Sequence, residues 1–222
     1  SRPFARQDIS IACGYYVHGV TTDRIDIAFE NDPADYLWSF PRQDHLAVGV
    51  CAQADVASTS MLMPVVDRWM QANVVGGRTE RYSWPIPSLT LGALEREMPC
   101  GDGWMLIGDA AGLVDPITRE GISYALQSAE IAAECLKDEP RASTRYAERL
   151  RGAIYDELSL AARLKARFYR PAFIALLITS LQRSARIRAV MADLIAGEQP
   201  YHSLRRRLLN TFEWRLMAEL LR

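Results

Sequence analysis

The sequence has few of the residues that mark a metal-binding or disulfide-bonded protein. Its four cysteines are far apart, form no Cys-x-x-Cys pair and are accompanied by only three histidines. These cysteines are Cys13, Cys51, Cys100 and Cys135. The pattern is typical of reduced thiols in the cytoplasm, and it predicts neither a metal site nor a disulfide framework.

An excess of positive charge and long apolar runs are also missing. Lysine and arginine together number 26 against 27 acidic residues, so no overall positive field attracts nucleic acid. The longest apolar run, residues 172–179, is far shorter than the roughly 20 residues that a membrane-spanning helix needs. The first residues show no secretion signal. We therefore expect a cytoplasmic protein that binds no nucleic acid.

The first part of the chain predicts an antiparallel sheet. Segments rich in β-branched and aromatic residues, or alternating polar with apolar, lie at 9–17, 24–29, 36–40 and 45–51. The short turns between them favour antiparallel pairing. A helix is predicted over 58–73. Residues 81–91 are extended, but Pro85 and Pro87 exclude them from the centre of a sheet.

The second part of the chain is predominantly helical. A short strand is predicted at 104–107, and helices are predicted at 121–136, 141–168, 172–195 (as one helix or two) and 203–221. Together the two parts predict an α+β fold. Its expected regions are an antiparallel-sheet domain with one helix over 1–100, a strand-turn-helix segment over 101–138 and a helical region over 139–222.

The stretch from Gly101 to Ile122 carries the clearest chemical signal. It predicts a strand, a tight turn of small residues, a bend at Pro116 and a helix that starts near Gly121. Small residues let a flat or sugar-like ligand approach the backbone closely, and Asp109 can accept hydrogen bonds from hydroxyl groups. Free amides at the helix start favour anionic or electron-rich atoms. The alternative is a plain turn in which Asp109 caps a helix.

This stretch resembles the second flavin-binding motif of the FAD-dependent reductases and monooxygenases related to para-hydroxybenzoate hydroxylase. The resemblance implies that Asp109 binds the ribityl chain, that Gly121 and Ile122 lie against the isoalloxazine ring, and that Gly108 and Gly112 shape the turn. The complete set of cofactor-binding residues implied is Gly108, Asp109, Ala111, Gly112, Pro116, Gly121 and Ile122.

Three aromatic residues form a second signal. Tyr36, Trp38 and Phe40 alternate along a predicted strand, so they share one face and make a broad apolar wall. Such a wall suits a prenyl chain or the edge of a flavin. The alternative is a sheet face packed on the core.

The pattern from Pro33 through Tyr36, Trp38, Phe40 and Pro41 to Gly49 resembles the substrate-domain signature of geranylgeranyl reductases. That signature ends in Gly-x-Gly, whereas this chain has Cys51 at the last position. The resemblance covers residues 9 to 136 and implies a substrate site at Tyr36, Trp38, Phe40 and Pro41. It also implies an FAD-dependent reduction of carbon–carbon double bonds in a prenyl chain or prenyl lipid, with NAD(P)H or ferredoxin as the electron donor.

The Gly-x-Gly-x-x-Gly turn that holds the ADP half of FAD does not occur in these residues. We therefore expect this chain to be the C-terminal part of an enzyme of about double the length, and to be inactive by itself. No catalytic residue is assigned. His45 and Cys51 are candidates for the proton donor only because they can titrate.

Two other functions stay open at this stage. One is a flavin-dependent monooxygenase or halogenase, since residues 36–41 also resemble the halogenase motif W-x-W-x-I-P. The other is a non-catalytic fragment that binds a lipid or a partner. A basic amphipathic helix at the C-terminus predicts either peripheral contact with an anionic membrane or ordinary packing. Its apolar residues are Leu204, Leu208, Leu209, Phe212, Leu216 and Leu220.

Overall fold

The computed structural model describes residues 3–31, 34–137 and 140–211. The chain divides into two compact bodies. The sheet body is Phe4–Ser88, and the helical body runs from Leu89 to the last described residue, Thr211. This mixture of antiparallel sheet and helices confirms the predicted α+β class.

The sheet body contains five antiparallel strands in the order β2-β3-β4-β1-β5. Their bounds are β1 Ile9–His18, β2 Asp26–Asn31, β3 Ala34–Pro41, β4 His45–Gln53 and β5 Arg78–Pro87. The four predicted strands are confirmed. The extended segment with two prolines becomes β5 at the edge of the sheet, where the missing amides of Pro85 and Pro87 need no partner.

Helix α1, Thr59–Ala72, packs on one face of this sheet. The strands alternate, so every second residue points to the helix. The core there contains Val17 of β1, Leu37 of β3 and Val50 of β4, all fully or almost fully buried, together with Leu62 and Val66 of α1. The intervening residues of each strand therefore lie on the opposite face of the sheet.

The helical body begins with short elements. They are α2 Leu91–Arg96, β6 Cys100–Gly101, β7 Trp104–Met105, a 3₁₀ turn Gly108–Ala111 and α3 Ile122–Cys135. The strand predicted at 104–107 is too long, because only its first two residues pair with β6. Helix α2 was not predicted from the sequence. The helix start near Gly121 is confirmed.

The remaining elements are helices. They are α4 Ala142–Leu150, a π turn Arg151–Tyr155, α5 Asp156–Phe168, α6 Pro171–Arg183, α7 Ala185–Ile195 and α8 Tyr201–Leu209. Helix α4, the π turn and α5 follow one another without a break, and together they correspond to the single helix predicted over 141–168. The segment 172–195 forms two helices because Ser184 is extended and caps α7, accepting from the Ile187 amide at 3.2 Å. The predicted helical residues Phe212, Leu216 and Leu220 lie outside the described residues.

Within the described ranges, none of the helices combines the length and the apolar character that crossing a bilayer requires. The same ranges contain no group of three or more histidine, cysteine, aspartate or glutamate side chains arranged to hold a metal ion.

Candidate functional site

The turn Gly108–Ala111 needs small residues because it packs against α3. Gly108 has a φ of 52°, and a Cβ added there would lie 2.9 Å from the Cβ of Ala125. The Gly108 amide donates to Ser128 Oγ at 3.0 Å, which ties the turn to the helix. Gly112 ends the turn in the left-handed region, at a φ of 68°. Any residue with a Cβ would be strained at both glycines.

Asp109 and Gly121, predicted to share a ligand, lie next to each other. A Cβ added to Gly121 would lie 3.2 Å from Asp109 Oδ1. Asp109 is exposed, and the side chain of Ile122 is 77% exposed. Burial of part of the carboxyl, and then the charge of Glu120, raise the pKa of Asp109 above its usual value. The structure thus joins an accessible carboxylate, a backbone without a side chain and an exposed apolar side chain.

The other predicted cofactor residues are buried and help to form the loop itself. Ala111 and Gly112 are buried, as are Gly108 and Pro116. Their positions shape the segment that presents Asp109, and they offer little surface to a ligand.

One amide at the start of α3 already has a partner within the protein. The Ser123 amide donates to Glu120 Oε1 at 2.8 Å, and Ser123 Oγ donates to Glu120 Oε2 at 2.6 Å. Glu120 therefore caps the helix and places a negative charge where a phosphate would need a positive field.

Three tyrosines from later in the chain hold the loop in place by donating hydrogen bonds to its carbonyl groups. Tyr146 donates to Leu106 O at 2.6 Å, Tyr155 to Ala111 O at 2.7 Å and Tyr169 to Ile117 O at 2.6 Å. Tyr146 and Tyr155 are almost fully buried, and their partners are 40 and 44 residues away along the chain. Sequence reasoning did not find these residues, because nothing local distinguishes a tyrosine that packs from one that also donates.

The loop between the turn and α3 holds a buried polar pair. Asp115 accepts from the amides of Ile117 at 2.7 Å and Thr118 at 2.9 Å. Arg119 is 9% exposed, adopts a φ of 61° and places its guanidinium 5.9 Å from the centre of the Tyr169 ring. A non-glycine residue in this region costs roughly 1–2 kcal/mol. Such strain persists only where the surroundings impose it.

In the sheet body, the register puts Tyr36, Trp38 and Phe40, three of the four predicted substrate residues, on the face opposite α1. We call this surface the aromatic face. Its middle row crosses all five strands, since residues directly opposite each other share a face. The row is Ile27, Trp38, Gly49, Gly14 and Tyr82.

Two more rows lie beside the middle row. On one side the residues from β3 to β5 are Tyr36, Cys51, Ala12 and Trp84. On the other side they are Phe40, Ala47, Tyr16 and Glu80. Small residues thus occupy β4 throughout, with aromatic residues on both flanks. Cys51, in place of a glycine, is fully buried within this arrangement. Pro41 ends β3 opposite the buried Leu46, so it lies on the α1 face of the sheet and is not brought together with the other three predicted substrate residues. Pro33 lies outside the described residues.

The rings of Trp38 and Tyr82 meet above Gly49. A Cβ added to Gly49 would lie 2.1 Å from Tyr82 Oη and 2.5 Å from Trp38 Cζ2. Tyr82 donates to Val48 O at 3.3 Å. Burial raises the pKa of Tyr82, so its hydroxyl stays neutral and remains a donor. Tyr82 also stacks on Tyr16, with ring centroids 4.6 Å apart.

His45, considered as a proton donor, lies at one end of the aromatic face. Its Nδ1 is 2.7 Å from Asp44 Oδ1, and its ring meets Tyr16 edge-on, with centroids 5.0 Å apart. His18 lies opposite it on β1, with ring centroids 5.8 Å apart. These contacts give the histidines local partners and assign no catalytic role to either.

No protein-family model matches the chain. A digeranylgeranylglycerophospholipid reductase from Methanothrix thermoacetophila is 34% identical over 141 residues, which are 59% of this chain and 34% of that protein. The chain therefore spans about a third of the length of this curated relative.

Two solved structures resemble the fold. A geranylgeranyl bacteriochlorophyll reductase-like protein from Thermoplasma acidophilum matches with a TM-score of 0.71 at 22% identity, covering 93% of this chain and 56% of that one. A flavin-dependent halogenase from Xanthomonas campestris matches with a TM-score of 0.51 at 15% identity, covering 89% and 36%. The sequence similarity and the stronger fold match agree with the two motifs, so the chain resembles the geranylgeranyl reductases in sequence and in fold.

Proposed function

We propose that this chain is part of an FAD-dependent oxidoreductase that reduces carbon–carbon double bonds of a geranylgeranyl or other prenyl chain. The observation that carries the proposal is the position of the Asp109 carboxylate beside the bare backbone of Gly121 and the exposed side chain of Ile122. The name of the archaeal relative, a digeranylgeranylglycerophospholipid reductase, supports the choice of substrate class.

The residues present fit one part of FAD. Asp109 is accessible and can accept hydrogen bonds from the ribityl hydroxyls, while Gly121 and Ile122 offer a flat, apolar surface to the ring. Because Glu120 occupies the Ser123 amide and brings a negative charge, the start of α3 suits the uncharged parts of the cofactor better than its phosphates. These residues contain no Gly-x-Gly-x-x-Gly turn, so we expect FAD to bind weakly to this chain alone.

We assign the substrate role to the sheet body. Tyr36, Trp38 and Phe40 would hold the prenyl chain against the aromatic face and exclude water from it, whereas Pro41 lies on the other face of the sheet. When bound, FAD supplies the hydride for the reduction, and NAD(P)H or ferredoxin would reduce it. The proton donor is unassigned.

A prenyl lipid would bring the protein to a membrane surface. The exposed basic residues Arg205 and Arg206 of α8 are candidates for that contact, since anionic lipids attract positive charge. The neighbouring Arg207 is instead paired with Asp193. We favour reduction over halogenation, because the curated relative that the sequence matches is named a reductase and the halogenase resembles this chain in fold alone.

The test begins with the native protein isolated from its source cells. Its intact mass and its flavin absorbance are measured, and reduction of a geranylgeranyl lipid is followed by mass spectrometry. We expect bound or reconstitutable FAD, and a gain of two hydrogens for each reduced double bond. Asp109→Ala should lower FAD affinity, whereas Asp102→Ala, which removes an exposed acid from the β6–β7 turn, should not.

Three other outcomes would redirect the proposal. A native protein that neither contains nor takes up flavin refutes it. Halide-dependent oxygen consumption would support a halogenase instead. Binding of lipid without flavin would support a non-catalytic binding role.

A further inference from the structure

The aromatic face is not uniform along its length. In the middle row, Trp38 and Tyr82 reach toward each other over two glycines and meet above Gly49. In the row with Cys51 and Ala12, the outer aromatic residue on β5 is Trp84, whose side chain is 63% exposed and so stands away from the strands. The central strands therefore carry small residues in both rows. Two aromatic rings cover those small residues in the middle row only.

Contacts behind Tyr82 hold it in place. Its ring stacks on Tyr16, which in turn meets the edge of His45. Its hydroxyl donates to Val48 O, a backbone group that does not move with a rotamer change. Trp38 is held from its own side by Phe40, at a centroid distance of 6.2 Å, and by Tyr36, at 5.7 Å. A ring supported on several sides resists displacement by an apolar ligand.

We infer that Tyr82, meeting Trp38 above Gly49, is the end stop that limits how far a prenyl chain extends along the aromatic face. The inference rests on the proposed function, because it takes the prenyl chain as the occupant. A prenyl chain that passes from the row of Cys51 and Ala12 into the middle row would meet the rings of Trp38 and Tyr82 above Gly49. Tyr82 is thus a specificity-determining residue that selects substrate length and takes no part in the chemistry.

The experiment measures binding of geraniol, farnesol and geranylgeraniol by isothermal titration calorimetry. These alcohols share one head and differ by one isoprene unit each, so their relative affinities report the accommodated length. The purified native protein is compared with Tyr82→Ala, Tyr82→Phe and Trp84→Ala. Phe keeps the ring over Gly49 without the hydroxyl, and Trp84→Ala removes an aromatic side chain from the same strand and face but outside the ring pair.

For the wild type, we expect affinity to rise with length and then stop rising. In Tyr82→Ala it should keep rising, with the longest alcohol bound about tenfold more tightly than by the wild type, because another isoprene unit leaves water. Tyr82→Phe and Trp84→Ala should keep the wild-type length limit. Circular dichroism checks folding, and Tyr82→Leu, which is too short to reach Gly49, replaces the alanine variant if that variant unfolds.

Each outcome decides a different claim. If the wild type binds none of the three alcohols, the proposed function fails. If the wild type binds them but Tyr82→Ala and Tyr82→Leu keep its length limit, the end stop is wrong and the proposed function stands. If only Trp84→Ala changes the length limit, the residue that stops the prenyl chain is Trp84, in the row of Cys51 and Ala12, and the role assigned to Tyr82 is wrong.

Discussion

The sheet body and the helical body hold their candidate functional residues by different means. In the sheet body, strand register alone puts Trp38, Gly49 and Tyr82 in one row. In the helical body, the loop around Asp109 has little regular structure, and buried tyrosine hydroxyls from distant helices fix it. The first arrangement depends on the absence of side chains at two glycines, and the second depends on the presence of individual donors. The two should therefore fail under different substitutions.

The largest effect is expected for Gly14→Ala in the sheet body. A Cβ there would lie 2.0 Å from Val48 O and 2.6 Å from the Cα of Gly49, both backbone atoms that cannot rotate away. We expect the free energy of unfolding to fall by about 3 kcal/mol. Urea unfolding measures it, with Gly76→Ala as the matched control because a Cβ there meets no atom within 4 Å. Equal effects of the two substitutions would contradict the crowding.

Gly49→Ala should destabilise less, by about 2 kcal/mol, because the atoms it meets belong to side chains. Its shortest contact is with Tyr82 Oη at 2.1 Å. Removing that hydroxyl in Tyr82→Phe should therefore recover part of the loss. A double-mutant cycle by urea unfolding gives the coupling between the two positions. Simple additivity would show that the Tyr82 hydroxyl does not lie over the glycine.

In the helical body, Tyr155→Phe should lower the free energy of unfolding by about 1–2 kcal/mol, because the buried Ala111 carbonyl loses its donor. The substitution keeps the ring, so packing is nearly unchanged. Thermal melting and hydrogen exchange at Ala111 to Leu113 measure the effect. The matched control is Tyr124→Phe, on α3. An identical loss in both variants would mean that the hydroxyl of Tyr155 does not fix the loop.

The smallest effect concerns the pH dependence of Asp109→Asn. The pKa of Asp109 is raised, so the folded state binds its proton more tightly than the unfolded chain does. Ionisation therefore weakens the fold as pH rises above about 4. At neutral pH the variant should melt higher, by about 1 °C, since the group is exposed. At pH values where the carboxyl is protonated, the difference should vanish. A melting-temperature difference that does not change with pH would show that ionisation is not its cause.

The sequence predicted what depends on short-range pattern. Alternation along residues 36–40 and 45–51 placed Tyr36, Trp38 and Phe40 on one face, and glycine and proline positions located the start of α3. The partner ring Tyr82 was missed, because it reaches Gly49 from a strand more than thirty residues later in the chain. The strand before Gly108 was overestimated, since apolar residues 104–107 resemble a strand whether or not they find a pairing partner.

At the candidate cofactor site, the sequence predicted the local geometry in part, and the binding role of its residues stays a prediction. Small residues and an acid in a fixed order indicate a turn, and Asp109 and Gly121 are indeed neighbours. The hydrogen bond from the Ser123 amide to Glu120 depends on the side-chain rotamer of Glu120, which the periodicity of the sequence does not predict. The left-handed backbone of Arg119 was equally hidden, because an arginine gives no sign of a positive φ.

The two prolines of β5 have a consequence for self-association. Pro85 and Pro87 are two residues apart and pair with Ile11 and Ile9 of β1, so the amides they lack belong to the outer edge of the sheet. A strand from another molecule that approached this edge would find two successive donors missing from the ladder. Strand addition, the first step of edge-to-edge aggregation, is thereby disfavoured on the side of the sheet that carries Tyr82 and Trp84.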